Sequence, residues 1–576
     1  MLNLTSKATH PPDRAHIPTF EDLGVELNPE AVELANDPAR LANAIGGNGV
    51  KDLFASPVVF ISSVAACLGA LLFGMDLGIL QLTLTMPQFK NQFPQSDPDQ
   101  DRHGNLNRGI MVGLLELGAF FGALAAGYVA DRFSRKTSIL IGSIWFIIGS
   151  ILQTASYAFS MLVVGRFVGG IGVGMLSSTA PTYISELAPP NIRGALLVLE
   201  VACISTGQVV MYYITYGSRH IKNDWSFRAP FALQMLPCVL LLACLVKLPY
   251  SPRWLCQAGR DLESLDTLSR LRGLPTSDAR VQAEWIQIRA QSIRNREVLV
   301  NAHPKLENSP FRLELAAWID MFKPGVIQRT YIGIMLQLCQ QFMGITAILL
   351  YTPLLFGMLG MDYEMQLHLS GAINLTQLLA ISLPIFYLDK VGRKPPLLLS
   401  GICMAISQYI VGALVARFSH DWPGNKMAAH AGVAFIYIYI LVYGCGWGPI
   451  PWALPAEVHS SARRAKGVAL TTCTNWFGTF IIGVITPVMM DSIGYGTFLF
   501  FASVATLAQV WVFFCVPETK GLTLEEMDKL FHSHSSVEDA QNVEQLIHMI
   551  CDDRHASANG SSDDLKGVEA RIEKVA

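Results

Sequence analysis

From Val58 onward the chain alternates between long apolar runs and short polar connections. A helix needs about 20 mostly apolar residues to cross the hydrocarbon core of a bilayer. Runs at 58–80, 109–130, 138–156, 159–184, 195–216, 229–248, 330–357, 366–387, 395–417, 431–454, 467–490 and 496–516 have that character. They predict twelve transmembrane helices, called spans 1 to 12 below. A polar stretch, 249–329, separates the sixth from the seventh and contains "SRLRGLP" and a charged, helix-like run from Asp278 to Glu297. The predicted organisation is an N-terminal tail (1–57), a six-helix half (58–248), a linker with helices (249–329), a second six-helix half (330–516) and a C-terminal tail (517–576). Both tails are polar and are expected to be largely disordered.

Composition supports an all-α membrane protein. Hydrophobic residues make up 51% of the 576 and charged residues 15%, against about 25% charged in soluble domains. Mean hydropathy is +0.37. The net charge of −3 gives no reason to expect nucleic-acid binding. The 11 cysteines are scattered with no C-x-x-C pair, so neither a zinc site nor a disulfide framework is indicated. No nucleophile–base pair or phosphate loop is visible. "GGIGVG" lies inside span 4 and follows no strand. The reading is therefore not an enzyme, with no cofactor and no metal. The first apolar run lies behind a polar segment, so span 1 and not a cleavable signal is expected to target the chain.

Basic residues orient the spans. The 2–3 connection, "DRFSRK", carries Arg132, Arg135 and Lys136; the 8–9 connection, "DKVGRK", carries Lys390, Arg393 and Lys394; the 10–11 connection carries Arg463, Arg464 and Lys466. The 3–4 and 11–12 connections lack basic residues. Even-to-odd connections, the linker and both tails are thus expected in the cytoplasm. The sequons at Asn3 and Asn559 then face the wrong side for glycosylation, and Asn374 lies inside a span.

The two halves echo each other. "GYVADRFSRK" after span 2 matches "IFYLDKVGRK" after span 8, aligning Asp131 and Arg135 with Asp389 and Arg393. "PTYISELAPPNIRG" after span 4 matches "PWALPAEVHSSARRAKG" after span 10, and in each a glutamate precedes an arginine by seven: Glu186 to Arg193, and Glu457 to Arg464. Charges of both signs at equivalent helix ends can pair across the halves and close an inner gate. They can also be topological anchors only.

Taken in order, "DRFSRK", "VGRFVGG", "SELAPPNIRG", "LPYSPRWL", "QQFMGITAILLY", "DKVGRK", "GWGPIPW" and "VPETKG" resemble the sugar porter family of the major facilitator superfamily over nearly all of 58–530. "ALLVLE" and the long polar tails are most similar to fungal monosaccharide (hexose) carriers. The resemblance implies two six-helix halves with a substrate site between them. Two motif positions depart from it: Ser134 stands where the family usually has glycine, and Tyr250 where it has glutamate.

A sugar presents many hydroxyls, so its site needs amides, which both donate and accept, and an aromatic face. Gln340 and Gln341 are adjacent amides in an apolar run of span 7, ahead of Gly344, and Thr346 and Tyr351 beyond it are counted with them as substrate-binding candidates. The resemblance places both glutamines against the sugar; the alternative is that one bonds a neighbouring helix. In span 10, "GCGWGPIPWALP" is dense in glycine and proline, as a broken helix at a cavity would be. Trp452 would supply an aromatic wall there, or else face lipid. Asn475 and Trp476 are the analogous amide and ring of span 11. Thr346, Thr479 and Val201 stand where glucose carriers commonly have amides, and Val201 follows Glu200.

One charge interrupts span 1: Asp76, in "GALLFGMDLGIL". A charge at bilayer depth costs about 2.5–3.5 kcal/mol on insertion scales, so it needs a partner or a task. Arg166 is the isolated cation of span 4, and the resemblance puts it opposite span 1. Ionised Asp76 would pair with Arg166 and be released by a proton, or the pair is permanently structural. Glycines four apart in span 4 (Gly165 and Gly169, Gly170 and Gly174) and in span 2 (Gly118 and Gly122) permit close helix contact. Glu116 has no evident role.

The expectation is a plasma-membrane monosaccharide importer, monomeric and coupled to protons. An uncoupled facilitator, a sugar-acid or polyol carrier, and a transport-inactive sensor remain open. Sensors of this fold have very long tails, and here 56 residues follow Lys520.

Overall fold

The computed structural model describes residues 25–46, 56–306, 309–459, 463–520, 531 and 541–551. Among the described residues, twelve spans run in two sets of six. Spans 1 to 5 are Pro57–Thr83, Gly104–Arg132, Arg135–Thr154, Phe159–Leu187 and Pro190–Ser218, and span 6 is Trp225–Leu233 with Met235–Leu245. Span 7 is Ile327–Phe342 with Ile345–Met358, and spans 8 and 9 are Tyr363–Ser382 and Lys394–Phe418. Span 10 is Lys426–Cys445 with Ile450–Val458, and spans 11 and 12 are Arg464–Ser492 and Gly496–Cys515. Eleven are long and apolar enough to cross a membrane by that measure alone. The twelfth, span 8, carries Glu364, Gln366, His368, Asn374 and Gln377, and it joins the halves.

Within the first half, span 4 packs along spans 2 and 3, and span 1 along span 5. Spans 2 and 4 approach to backbone distance. A Cβ at Gly118 would lie 2.2 Å from the Phe167 carbonyl oxygen, and one at Gly170 only 2.0 Å from that of Leu115. No larger residue fits either place. Between the halves, span 2 packs on span 11, span 5 on span 8, and span 1 on the second segment of span 7.

The tails differ from the expectation of disorder. Helices Pro29–Asn36 and Pro38–Ile45 lie on the linker helix Ala279–Ala302, burying Ala31, Leu34 and Leu41 against Trp285 and Ile286. Residues 541–551 are helical and add Leu546, Ile547 and Ile550 to the same cluster. These segments are short, but their apolar residues recur at three and four, which is enough to cover one face of a neighbouring helix. Asn3 and Asn559 lie outside the described residues.

The "PETKG" glutamate fastens span 9. Glu518 accepts from the backbone N–H of Arg393 and Lys394 at 2.9–3.1 Å, where span 9 begins. Burial pushes its carboxyl up, but these backbone donors outweigh that and hold it below the ordinary range.

Candidate functional site

Span 7 breaks at Gly344, whose φ of 94° suits a residue without Cβ. The break frees the Met343 carbonyl, which accepts from Gln408 at 2.7 Å and the Tyr439 hydroxyl at 3.0 Å. Span 10 breaks at Gly446. Its freed carbonyls, at Trp447 and Gly448, accept from the Gln340 amide at 2.6 and 3.3 Å. The two breaks thus face each other through Gln340. The Gln340 Oε1 accepts from Asn475 at 3.0 Å, and Asn475 also donates to Gln337 at 2.7 Å. Thr346 donates to Gln341 at 2.5 Å.

Five polar side chains from spans 7 and 11 therefore form one connected, buried group: Gln337, Gln340, Gln341, Thr346 and Asn475. Gln340 bonds a neighbouring helix, and both its amide hydrogens are engaged. Gln341 is freer, with only a 3.5 Å contact to Gln340 from its amide nitrogen. Trp476 follows Asn475 and crosses to the first half, meeting Phe73 of span 1 edge-on at 4.9 Å; its indole N–H is buried and has no acceptor among the described residues. Tyr351 is fully buried and its hydroxyl is committed to the Gly483 carbonyl at 2.7 Å. Trp452 stands apart from this group. It is 42% exposed, whereas Trp447 at the break is fully buried and donates to the Leu397 carbonyl.

Asp76 and Arg166 are in contact. Arg166 Nη1 donates to Asp76 Oδ1 at 2.6 Å, with both side chains sealed from solvent. Arg166 Nε also donates to the Met111 carbonyl of span 2 at 3.2 Å, a reach permitted by the glycine contacts between spans 2 and 4.

The duplicated charges at the basic end pair within each half. Arg135 bonds Glu186 at 2.9 Å and Asp131 at 3.2 Å; Arg393 bonds Glu457 at 2.8 Å. Among the described residues no ion pair joins Glu186 to Arg464 or Arg193 to Glu457, so the expected cross-half pairing is not made in this state. Each glutamate lies against the arginine at the start of the preceding helix of its own half, Arg135 of span 3 or Arg393 of span 9, and that nearer cation takes it. The Asp389 side chain lies outside the described residues. What joins the halves here is Lys466, 3.6 Å from Asp131 and bonded to Glu314. Tyr250 stacks on Trp254 and offers its ring to Lys136 at 4.7 Å, so a cation–π contact stands where a carboxylate was expected.

The opposite end is closed by contacts between halves that sequence reasoning missed. Asn374 of span 8 accepts from Gln208 of span 5 at 3.0 Å and donates to Gln81 of span 1 at 2.8 Å. The Tyr212 hydroxyl donates to the Leu367 carbonyl at 2.7 Å, and Arg219 pairs with Glu364 at 2.7 Å. The signal was available: Gln81, Gln208 and Gln337 are amides inside apolar runs, the same criterion that singled out Gln340.

This architecture, two six-helix halves meeting at broken helices and a buried amide group, defines a membrane carrier. The family model for sugar (and other) transporters matches residues 62–531, and the chain belongs to that family, the sugar porters of the major facilitator superfamily, which are carriers and not enzymes. It is 29% identical to a high-affinity glucose transporter of Kluyveromyces lactis, over 82% of this chain and 85% of the relative. It is 30% identical to the sugar transporter STL1 of Saccharomyces cerevisiae, over 88% and 87%. The high glucose sensor RGT2 of the same yeast is 31% identical over 81% of this chain and 60% of the sensor. Among solved structures, the proton:xylose symporter XylE bound to 6-bromo-6-deoxy-D-glucose superposes with a TM-score of 0.66 at 26% identity, covering 82% of this chain and 99% of that one. The inward open conformation of XylE from E. coli gives 0.65 at 26%, with the same coverage.

Proposed function

We propose that the chain imports a monosaccharide across the plasma membrane by alternating access, coupled to protons, as a monomer with both termini in the cytoplasm. The observation that carries this reading is the amide group of spans 7 and 11 at the seam between halves, roofed by the Trp476 indole and adjoining two helix breaks. Amides matched to hydroxyls and an indole matched to a sugar's C–H face are the chemistry of carbohydrate binding. Gln341, Thr346, Asn475 and Trp476 contact the sugar directly; Gln340 exchanges a backbone carbonyl of span 10 for a sugar hydroxyl. Tyr351 holds span 7 to span 11, and Trp452 closes over the site when span 10 moves. The likeness to a proton:xylose symporter and to a glucose transporter supports a pentose or hexose as substrate.

The closed Gln81–Gln208–Asn374 end is then the outer gate, and the charges paired within each half mark the inward-facing state. Asp131, Arg135, Glu186 and Arg193, with Asp389, Arg393, Glu457 and Arg464, form the inner gate, re-pairing across the halves when it closes. Uptake of a labelled monosaccharide panel in transporter-null cells, with and without a pH gradient, tests the reading. Accumulation driven by the gradient is expected. Uptake that only equilibrates would make the chain a facilitator, and binding without uptake would make it a sensor.

A further inference from the structure

The buried pair of spans 1 and 4 has a third member that its chemistry does not use. Glu116 of span 2 is fully buried, and among the described residues neither of its carboxyl oxygens has a hydrogen-bond partner. It lies within electrostatic reach of both Arg166 and Asp76. On its helix it is five residues beyond Met111, whose carbonyl already holds Arg166 Nε, and beside Leu115, whose carbonyl abuts Gly170 of span 4. Among the described residues, Arg166 Nη2 is buried with no bond and Asp76 Oδ2 is likewise unbonded. The other charged or titratable groups around Glu116 are few. Tyr351 of span 7 lies nearby, its hydroxyl on the Gly483 carbonyl, and Arg108 is on span 2 itself. Span 11 presents Phe480 and Val484 along this stretch of span 2, and the basic residues of span 3, Arg135 and Lys136, are at its first turn.

Two buried carboxyls thus lie near one guanidinium, which bonds only Asp76. A bare carboxylate with no donor is the costliest state such a group can take, so only the one bonded by Arg166 is ionised. We propose that Glu116 is the second carboxyl of the coupling site, and that Asp76 and Glu116 hold one proton between them while Arg166 pairs with whichever is ionised. In the present state the proton is on Glu116. When Asp76 takes a proton from water, Glu116 releases its own to water, and its carboxylate accepts the free Nη2 of Arg166. One proton enters and one leaves, and the buried charge stays at zero throughout. Arg166 is never stranded, which gives the switch two stable positions.

This rests on Asp76 being the group that titrates during transport, so the primary test needs no transport. Infrared spectra of the purified full-length protein at neutral pH report the C=O stretch of protonated carboxylic acids. Glu116→Gln should remove one such band relative to the native chain. Asp76→Asn should remove the same band, because Glu116 then ionises to pair with Arg166. A band lost only in Glu116→Gln would mean Glu116 is permanently neutral; a band lost only in Asp76→Asn would mean Asp76 carries the proton. Either overturns the proposal. Glu116→Asp, keeping the carboxyl, should retain the band. In transport, Glu116→Gln should keep sugar exchange but flatten the pH profile of uptake, and Glu116→Asp should restore the slope. A pH profile unchanged in Glu116→Gln would also overturn it, whereas a native chain with no pH dependence and the expected infrared losses would remove the symport reading alone.

Discussion

Gln81 and Asn374 hydrogen-bond each other in both directions, Nε2 to Oδ1 at 3.2 Å and Nδ2 to Oε1 at 2.8 Å, and so join span 1 of the first half to span 8 of the second. Gln208 donates to the same Asn374 oxygen. Removing Asn374 leaves two buried amides short of partners, at about 1–3 kcal/mol for each unsatisfied group. All of that cost falls on the state in which this end is closed. Asn374→Ala should therefore shift the carrier outward by roughly tenfold or more. A cysteine placed at Gly371 should label faster from outside in the Asn374→Ala background; an unchanged rate would mean that the amides do not hold the gate.

Much of this was legible from the chain. Eleven spans follow from hydrophobic length, the more polar span 8 from its place in the run of apolar segments, and the partnership of Asp76 with Arg166 from the cost of a lone buried charge plus the family resemblance. What escaped has identifiable causes. The amides of the closed end were hidden because Asn374 reads first as a glycosylation sequon and Gln208 as one polar residue in a long run. The pairing at the basic end could not be read because each glutamate has two candidate arginines, and which one it takes depends on the conformational state. The docked tails escaped because their helices have only eight residues each at the N-terminal end, too few for a periodic signal.

Gln340 joins the break in span 10 to Asn475 of span 11. Gln340→Ala deprives two backbone carbonyls and the Asn475 amide of their partner, so the site should lose shape as well as a sugar contact. The expected result is a raised KM or abolished uptake with surface expression intact. Gln341→Ala, at a side chain with freer hydrogen-bonding capacity, should raise KM with less effect on the maximal rate. Uptake kinetics of the two variants, measured side by side, check the division; native kinetics in both would remove the site.

Arg193 has no ion-pair partner among the described residues, and Glu457 is held by Arg393. If these groups pair when the inner gate closes, Arg193→Ala should leave the present state untouched and destabilise the closed one by about 1–3 kcal/mol. Labelling of a cysteine near Glu186 from the cytoplasmic side should then rise. No rise would make these charges anchors.

Ser134 has φ 139° and ψ 160°, a region that is essentially glycine's, and its equivalent in the second half is Gly392 at φ 102°. Such a conformation costs about 1–3 kcal/mol in any other residue. Ser134 recovers part of that by accepting from the Thr137 N–H at 3.0 Å as the cap of span 3, a bond worth only a few tenths of a kcal/mol over glycine. Ser134→Gly should raise the melting temperature of the purified protein, and a fall would show that the cap outweighs the strain.

His459, just beyond span 10, donates from Nδ1 to the Pro455 carbonyl at 2.7 Å, and its other nitrogen is buried with no partner among the described residues. Burial, aided by Arg329, Arg464 and Arg463, pushes its pKa down from 6.5 to about 4. Between those values the unfolded chain binds a proton that the folded chain does not. Stability is therefore full above about pH 6.5 and falls as pH drops toward 4, by about 1.4 kcal/mol per unit at most. Melting curves of His459→Gln should show a shallower acid dependence than the native chain; an identical slope would assign it to other groups.

Asp76 bonds Arg166 at 2.6 Å with both side chains fully buried. Deleting one partner of such a pair costs about 3–5 kcal/mol, because a charge is left uncompensated. Asp76→Asn is milder: the amide oxygen still accepts from the guanidinium, and the side chain keeps its shape. What it loses is the ability to change charge. A carrier that uses this carboxyl to sense protons should then keep sugar exchange, since both gates can still open and close, and lose accumulation against a gradient. Counterflow of labelled sugar in membrane vesicles measures the first, and uptake against a concentration gradient with an imposed pH difference measures the second. If Asp76→Asn still concentrates sugar in a proton-dependent way, the pair is structural and coupling lies elsewhere.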